Sequence, residues 1–182
     1  MTRAFALLLA LTVLVGAFLT CHHTPPPIVA PTLLAPPARG IPVLTCDPSR
    51  WDHVYHADRL TVLAPCLTAT GTIVDATHGK RSDGVRHEAD GDTHGWLKLD
   101  PGQDSLLDAG NLSDEEGNLV FEIVCRFRVS QADAVDACRT YHDTLALPRP
   151  GTHVRMTGSW VRDENHAKWQ EIHPVTSIQT IP

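Results

Sequence analysis

Five segments of the chain alternate apolar and polar residues at the period of a β-strand. Residues 67–74 read Leu-Thr-Ala-Thr-Gly-Thr-Ile-Val, threonines alternating with apolar or small side chains, which predicts a strand with one buried face. Residues 92–99 divide as cleanly, with Asp92, His94, Trp96 and Lys98 on one side and Thr93, Gly95, Leu97 and Leu99 on the other. In a third strand, 119–125, Leu119, Phe121 and Ile123 share a face. A fourth is predicted over 153–161, and a fifth over 169–178 with Trp169, Glu171, His173 and Val175 on one side.

Turn formers separate these segments. Residues 77–91 are rich in Gly, Asp and basic side chains and predict a loop, and Asp100-Pro101-Gly102 stops the second strand. An acidic connection over 104–118 ends in the turn Glu115-Glu116-Gly117-Asn118, and Pro148-Arg149-Pro150-Gly151 breaks the chain again. After the third strand, Ser130 is placed to cap a short helix over 131–141. Three strands, a helix and two strands is the element order of the OB-fold. The expected fold is therefore mainly β: a five-stranded OB-like Greek-key barrel with one short helix between strands three and four. An open β-sandwich or another small barrel shares that order, because order alone does not determine pairing.

The N-terminal region lacks this alternation. Arg3 precedes an apolar run over 4–19 that ends at Cys21, so residues 1–21 read as an export signal. Phe18-Leu19-Thr20-Cys21 resembles a lipobox, with Phe18 and Thr20 departing from the usual residues. This makes Cys21 the candidate lipidation site, beside the alternatives of ordinary secretory cleavage and an uncleaved anchor helix. Residues 22–45 carry Pro25-Pro26-Pro27, Pro31, Pro36-Pro37 and Pro42 and predict an extended tether, leaving 46–182 as one domain.

Composition narrows the class of partner. A formal charge of −6 and 5% aromatic residues argue against nucleic acid, although Trp96, Trp160 and Trp169 could form a small stacking platform. Cys46, Cys66, Cys125 and Cys138 remain beyond Cys21 and predict two disulfides. Local pairing, Cys46 with Cys66 and Cys125 with Cys138, is the simplest of the three possibilities. No C-x-x-C suggests a metal or redox role for them.

Candidate chemistry is confined to two stretches, His87-Glu88-Ala89-Asp90-Gly91-Asp92-Thr93-His94 and Glu171-Ile172-His173-Pro174. Their shared faces nominate Asp92, His94, His166, Glu171 and His173 as ligands for a divalent metal such as zinc. The competing reading is structural, with Asp90-Gly91-Asp92 shaping a turn and His94 and His173 anchoring loops. Strands two and five are also not immediate neighbours in an OB topology. Elsewhere, His53 and His56 beside Trp51 and Tyr55 are candidates to line a surface pocket, and Asn111-Leu112-Ser113 fits a glycosylation sequon.

Taken as a set, Arg59-Leu60-Thr61-Val62-Leu63 leading to Cys66-Leu67-Thr68-Ala69-Thr70-Gly71-Thr72, the His87 to His94 stretch, Pro150-Gly151-Thr152-His153-Val154-Arg155-Met156-Thr157-Gly158 and Glu171-Ile172-His173-Pro174-Val175 resemble small exported bacterial OB-fold-like proteins of unknown function. Such proteins often carry Asp-x-x-His-Gly-Trp before the last strand. Here Asp163, His166 and Trp169 are kept and the glycine is lost. The resemblance implies the fold and export and no reaction. The expected function is an exported, membrane-tethered binding or interaction module of the cell envelope, at the periplasm or cell surface. It would be anchored through lipid or a signal-anchor, and its partner would be an envelope protein, a glycan or a small ligand. The alternative is a metal-binding domain or metal-dependent hydrolase that uses Glu88, Asp90 or Glu171 as its base.

Overall fold

In the computed structural model the first strand starts seven residues before its predicted position, and β1 is Leu60–Val74. Its length follows from its partners. It pairs antiparallel with β5 (His153–Asp163) along most of its course, and at its C-terminal end with β3 (Thr93–Leu99). Pro65 cannot donate to a ladder. It lies within the register shift between Ala64 and Leu67, next to a second between Val62 and Ala64, the irregular setting that a strand proline requires. The structure describes residues 45–75 and 84–182. The expected signal with Cys21, the proline-rich tether up to residue 44, and residues 76–83 of the predicted loop lie outside the described residues.

The fold is mainly β, a six-stranded mixed sheet in the order β1-β5-β6-β4-β3-β2. Here β2 is Arg86–His87, β4 is Leu119–Ile123 and β6 is Gln170–Thr180. The additional β1–β3 pairing joins five strands into a ring, with β2 attached outside it on β3. Every pairing is antiparallel except β4 with β6. The loop predicted before strand two thus contributes a short strand of its own.

One face of this ring carries the apolar core, including Ala69, Ile73, Leu97, Leu119, Phe121, Ile123, Met156, Ile172 and Val175. Burial of each large side chain stabilises the fold by about 1.5–3 kcal/mol. Leu119, Phe121 and Ile123 share the core face as their alternation predicts. Val175 does not keep the face expected of it. Between the pairs Trp160↔Ile172 and Gly158↔Val175, β6 advances by one residue more than β5, so the bulge turns Val175 to the core beside Ile172 and leaves Glu171 and His173 on the other side.

The connections differ from expectation in two places. Within the acidic connection, Asp108 accepts hydrogen bonds from the backbone of Gly110 and Asn111 and starts α1, Ala109–Asp114. The helix predicted over 131–141 shrinks to a 3-10 turn, Ala132–Ala134, and one turn of α2, Val135–Cys138. Ser130 does not cap it, because its backbone N–H and hydroxyl donate to the Ala89 carbonyl instead.

Two disulfides form, Cys46–Cys66 and Cys125–Cys138, the local pairing. They suit an oxidising, extracellular compartment. Among the described residues no helix is long and apolar enough to cross a membrane.

Candidate functional site

The face of β3, β4 and β6 opposite the apolar core is itself buried, and it is polar. Trp96, Val120 and Trp169 pack at one part of it, and His94, Glu122, Glu171 and His173 fill the rest. Register explains the arrangement. His94 lies directly across from Glu122 in the antiparallel β3–β4 pair. The parallel β4–β6 pair matches Val120 with Glu171 and Phe121 with Ile172, so Glu122 comes beside His173.

Glu122 is the centre of the group. His94 Nδ1 is 3.2 Å from its Oε1, and His173 Nδ1 is 2.9 Å from its Oε2. His173 Nδ1 also lies 3.1 Å from Glu171 Oε1, while Trp169 Nε1 donates to Glu171 Oε2 over 2.9 Å. His94 Nε2 faces Glu115 Oε2 at 3.5 Å, and Trp96 Nε1 donates to the same oxygen. Arg59 extends the network, donating through Nε to Asp163 over 2.8 Å with Nη2 3.8 Å from Glu122.

Charge within this layer is set by burial against pairing. Burial opposes the imidazolium of His94, but hydrogen bonds to Glu115 and Glu122 outweigh it and raise its pKa from 6.5 to about 9, with Arg86 acting the other way. Burial also opposes charge on His173, and Glu122 and Glu171 together hold it well above the ordinary histidine value. For Glu122, burial raises the pKa, but the two histidines prevail and hold it well below the carboxylate range. Asp92 is pushed well above that range by burial, reinforced by the charges of Asp90 and Glu122 and opposed by His173.

A cleft of about 330 Å³ opens over this layer. Its lining includes Tyr55, Arg59, Arg86, Glu88, Asp90, Glu122, Gln131, Asn165, His166 and Trp169. Its two guanidiniums are already committed. Arg59 is held by Asp163, and Arg86 contacts Glu88 through Nε and lies 3.0 Å from His94 Nδ1 through Nη2.

The nominated ligands are distributed unevenly. Asp92 Oδ2 lies 3.7 Å from His173 Nε2, and Asp92, Glu122 and His173 present ligand atoms within 4.8 Å of one another. His94 belongs to a separate group with Glu88 and Glu122. Glu171 orients His173, while His166 bonds Asp163 at 2.9 Å and stacks on Trp169 at 5.3 Å. The two stretches therefore meet through Glu122, a residue that sequence reasoning missed. The available signal was the single acid in Leu-Val-Phe-Glu-Ile-Val, on the face opposite Leu119, Phe121 and Ile123.

Several secondary expectations change. Asp92 Oδ1 accepts the Cys125 N–H over 2.7 Å and Asp90 Oδ1 accepts that of Asp92 over 3.1 Å, so both carboxylates shape the turn as the structural reading holds. His56 and Tyr55 line the cleft, whereas His53 stacks on Tyr141 at 3.9 Å. Of the three tryptophans, Trp96 and Trp169 are buried and Trp160 is half-buried. The sequon residue Asn111 is fully buried, and its amide is engaged with Asn118, Gln170 and Asp108, which leaves no access for a glycan in the folded state. Comparison with family models, curated proteins and solved structures finds no match for this chain.

Proposed function

We propose that the chain is an exported, membrane-tethered binding module of the cell envelope, built on an OB-type barrel, and that its cleft takes a hydroxyl-rich ligand of glycan type. The circuit of pairing supports the barrel reading: each strand of the ring has two partners, and its third and fifth members run parallel. OB barrels bind ligands over the face of strands two and three, between the loop joining strands one and two and the loop joining strands four and five. The cleft occupies the corresponding position, with Arg86, Glu88 and Asp90 from one loop and Asn165 and His166 from the other.

The observation that carries the ligand class is the cleft's lining. The carboxylates of Glu88, Asp90 and Glu122, the amides of Gln131 and Asn165 and the guanidiniums of Arg59 and Arg86 line it beside Tyr55 and Trp169, a surface suited to paired hydroxyls. Phosphate backbones fit poorly, since Arg59 and Arg86 are already neutralised by Asp163 and Glu88. Lipidation of Cys21 would hold such a module at a membrane surface, and mass spectrometry of the mature N-terminus tests that part.

Ligand-observed NMR against cell-wall glycan fragments, with Gln131→Ala and Asn165→Ala as variants, tests the cleft. Binding should weaken about tenfold in the variants while their melting temperatures stay close to that of the parent. Absence of binding by any fragment at millimolar concentration, or binding indifferent to both substitutions, would refute the glycan reading.

A further inference from the structure

Three groups of metal-ligating side chains occur among the described residues, and two are closed to a cation. Asp92 with Cys125 and Cys138 offers no thiolate, because the cysteines are joined. In the group of Glu88, His94 and Glu122, the Arg86 guanidinium already sits beside both Glu88 and His94 Nδ1, so a positive charge already occupies the approach.

The third group differs. His173 is fully buried, and its Nδ1 is committed to Glu122 and Glu171, yet its Nε2 has no hydrogen-bond partner and faces Asp92 Oδ2 at 3.7 Å. With Nδ1 carrying the proton, a neutral ring aims a lone pair at a carboxylate. A charged ring aims an N–H at an oxygen beyond hydrogen-bond reach. Either state leaves a buried polar atom unsatisfied, and a cation between the two atoms satisfies both.

We infer that Asp92 and His173, with Glu122 beside them, form a binding site for a divalent cation of the zinc type. At about 2.1 Å from zinc, two donors separated by 3.7 Å subtend roughly 120°, close to tetrahedral. Ligating histidines usually donate their second ring N–H to a carboxylate, and Glu122 and Glu171 supply that bond to His173 Nδ1. Asp90 lines the cleft and accepts the Asp92 backbone N–H over 3.1 Å, which fixes the turn that carries Asp92. The site shares Glu122 with the cleft lining but does not rest on the glycan reading, since metal titration and the His173 ring nitrogens report on it directly.

The test is calorimetric titration of the full chain with zinc chloride, checked by long-range nitrogen–proton NMR of the histidine rings. With the adjacent His22 and His23 of the proline-rich region replaced by alanine, so that they cannot compete for the metal, a single saturable equivalent should remain. His173→Gln should weaken that equivalent about 100-fold or more, while His94→Gln should leave it within about threefold. In the unsubstituted chain, zinc should shift the His173 Nε2 resonance and leave Nδ1 protonated, a readout that does not depend on any variant folding. The inference is overturned if no saturable equivalent forms below about 1 mM, if His173→Gln leaves it intact, if His94→Gln abolishes it equally, or if the His173 nitrogens do not move.

Discussion

Replacing Glu122 by glutamine removes the one carboxylate that both buried histidines share. The amide can present its carbonyl to one ring only and turns its NH2 toward the N–H of the other. Breaking a buried charged pair from one side costs about 3–5 kcal/mol. The pH dependence separates this electrostatic effect from simple loss of packing. His94 rises from 6.5 to about 9 on folding, which corresponds to roughly 3 kcal/mol. Because the folded value lies above the unfolded one, this stability is fully present below pH 6.5 and is lost as pH rises through about 9. His173, also raised, contributes in the same direction. Burial of Asp92 adds a fall with rising pH in both proteins, so the difference between the two curves isolates the charge of Glu122. Urea unfolding with disulfides intact, across this pH range, should show the parent losing about 3 kcal/mol or more and Glu122→Gln losing less than half as much. Parallel curves, or a parent whose stability is flat over that interval, would refute the shared-carboxylate account.

Three other expectations follow from local geometry. Ala167 and Lys168 in the turn before β6 both have left-handed φ, 49° and 61°, the region that favours glycine; Ala167→Gly should raise stability by about 0.5–1 kcal/mol in thermal unfolding. Asn111→Ala strands the backbone groups of Asp108, Asn118 and Gln170 and should cost about 2–4 kcal/mol, read as a lowered urea midpoint. Cys125→Ser/Cys138→Ser removes a bridge across a separation of 13 residues and should cost about 3 kcal/mol, with melting temperature as the measure.

Much of the fold was legible because strand alternation is a local property. All five predicted strands exist, and Leu119, Phe121 and Ile123 reach the core as expected. The early start of β1 was hidden by Pro65, whose place in a strand depends on bulges that only the β1–β5 pairing creates. The helix over 131–141 was over-extended because propensity is a weak local signal, and Ser130 spends its donors on Ala89 across the fold.

By itself the sequence determined the strand segments, the breaks between them, the two stretches able to carry chemistry, and the disulfide pairing as the simplest choice. Tertiary structure decided that the stretches on β3 and β6 are joined by β4 between them, so that His94 and His173 each bond one oxygen of Glu122. The reason is physical. Alternation states which face a side chain takes within its own strand, whereas register between strands distant in sequence is settled by the packing of the whole sheet. Glu122 acquires its role only when that packing removes it from water between two imidazoles.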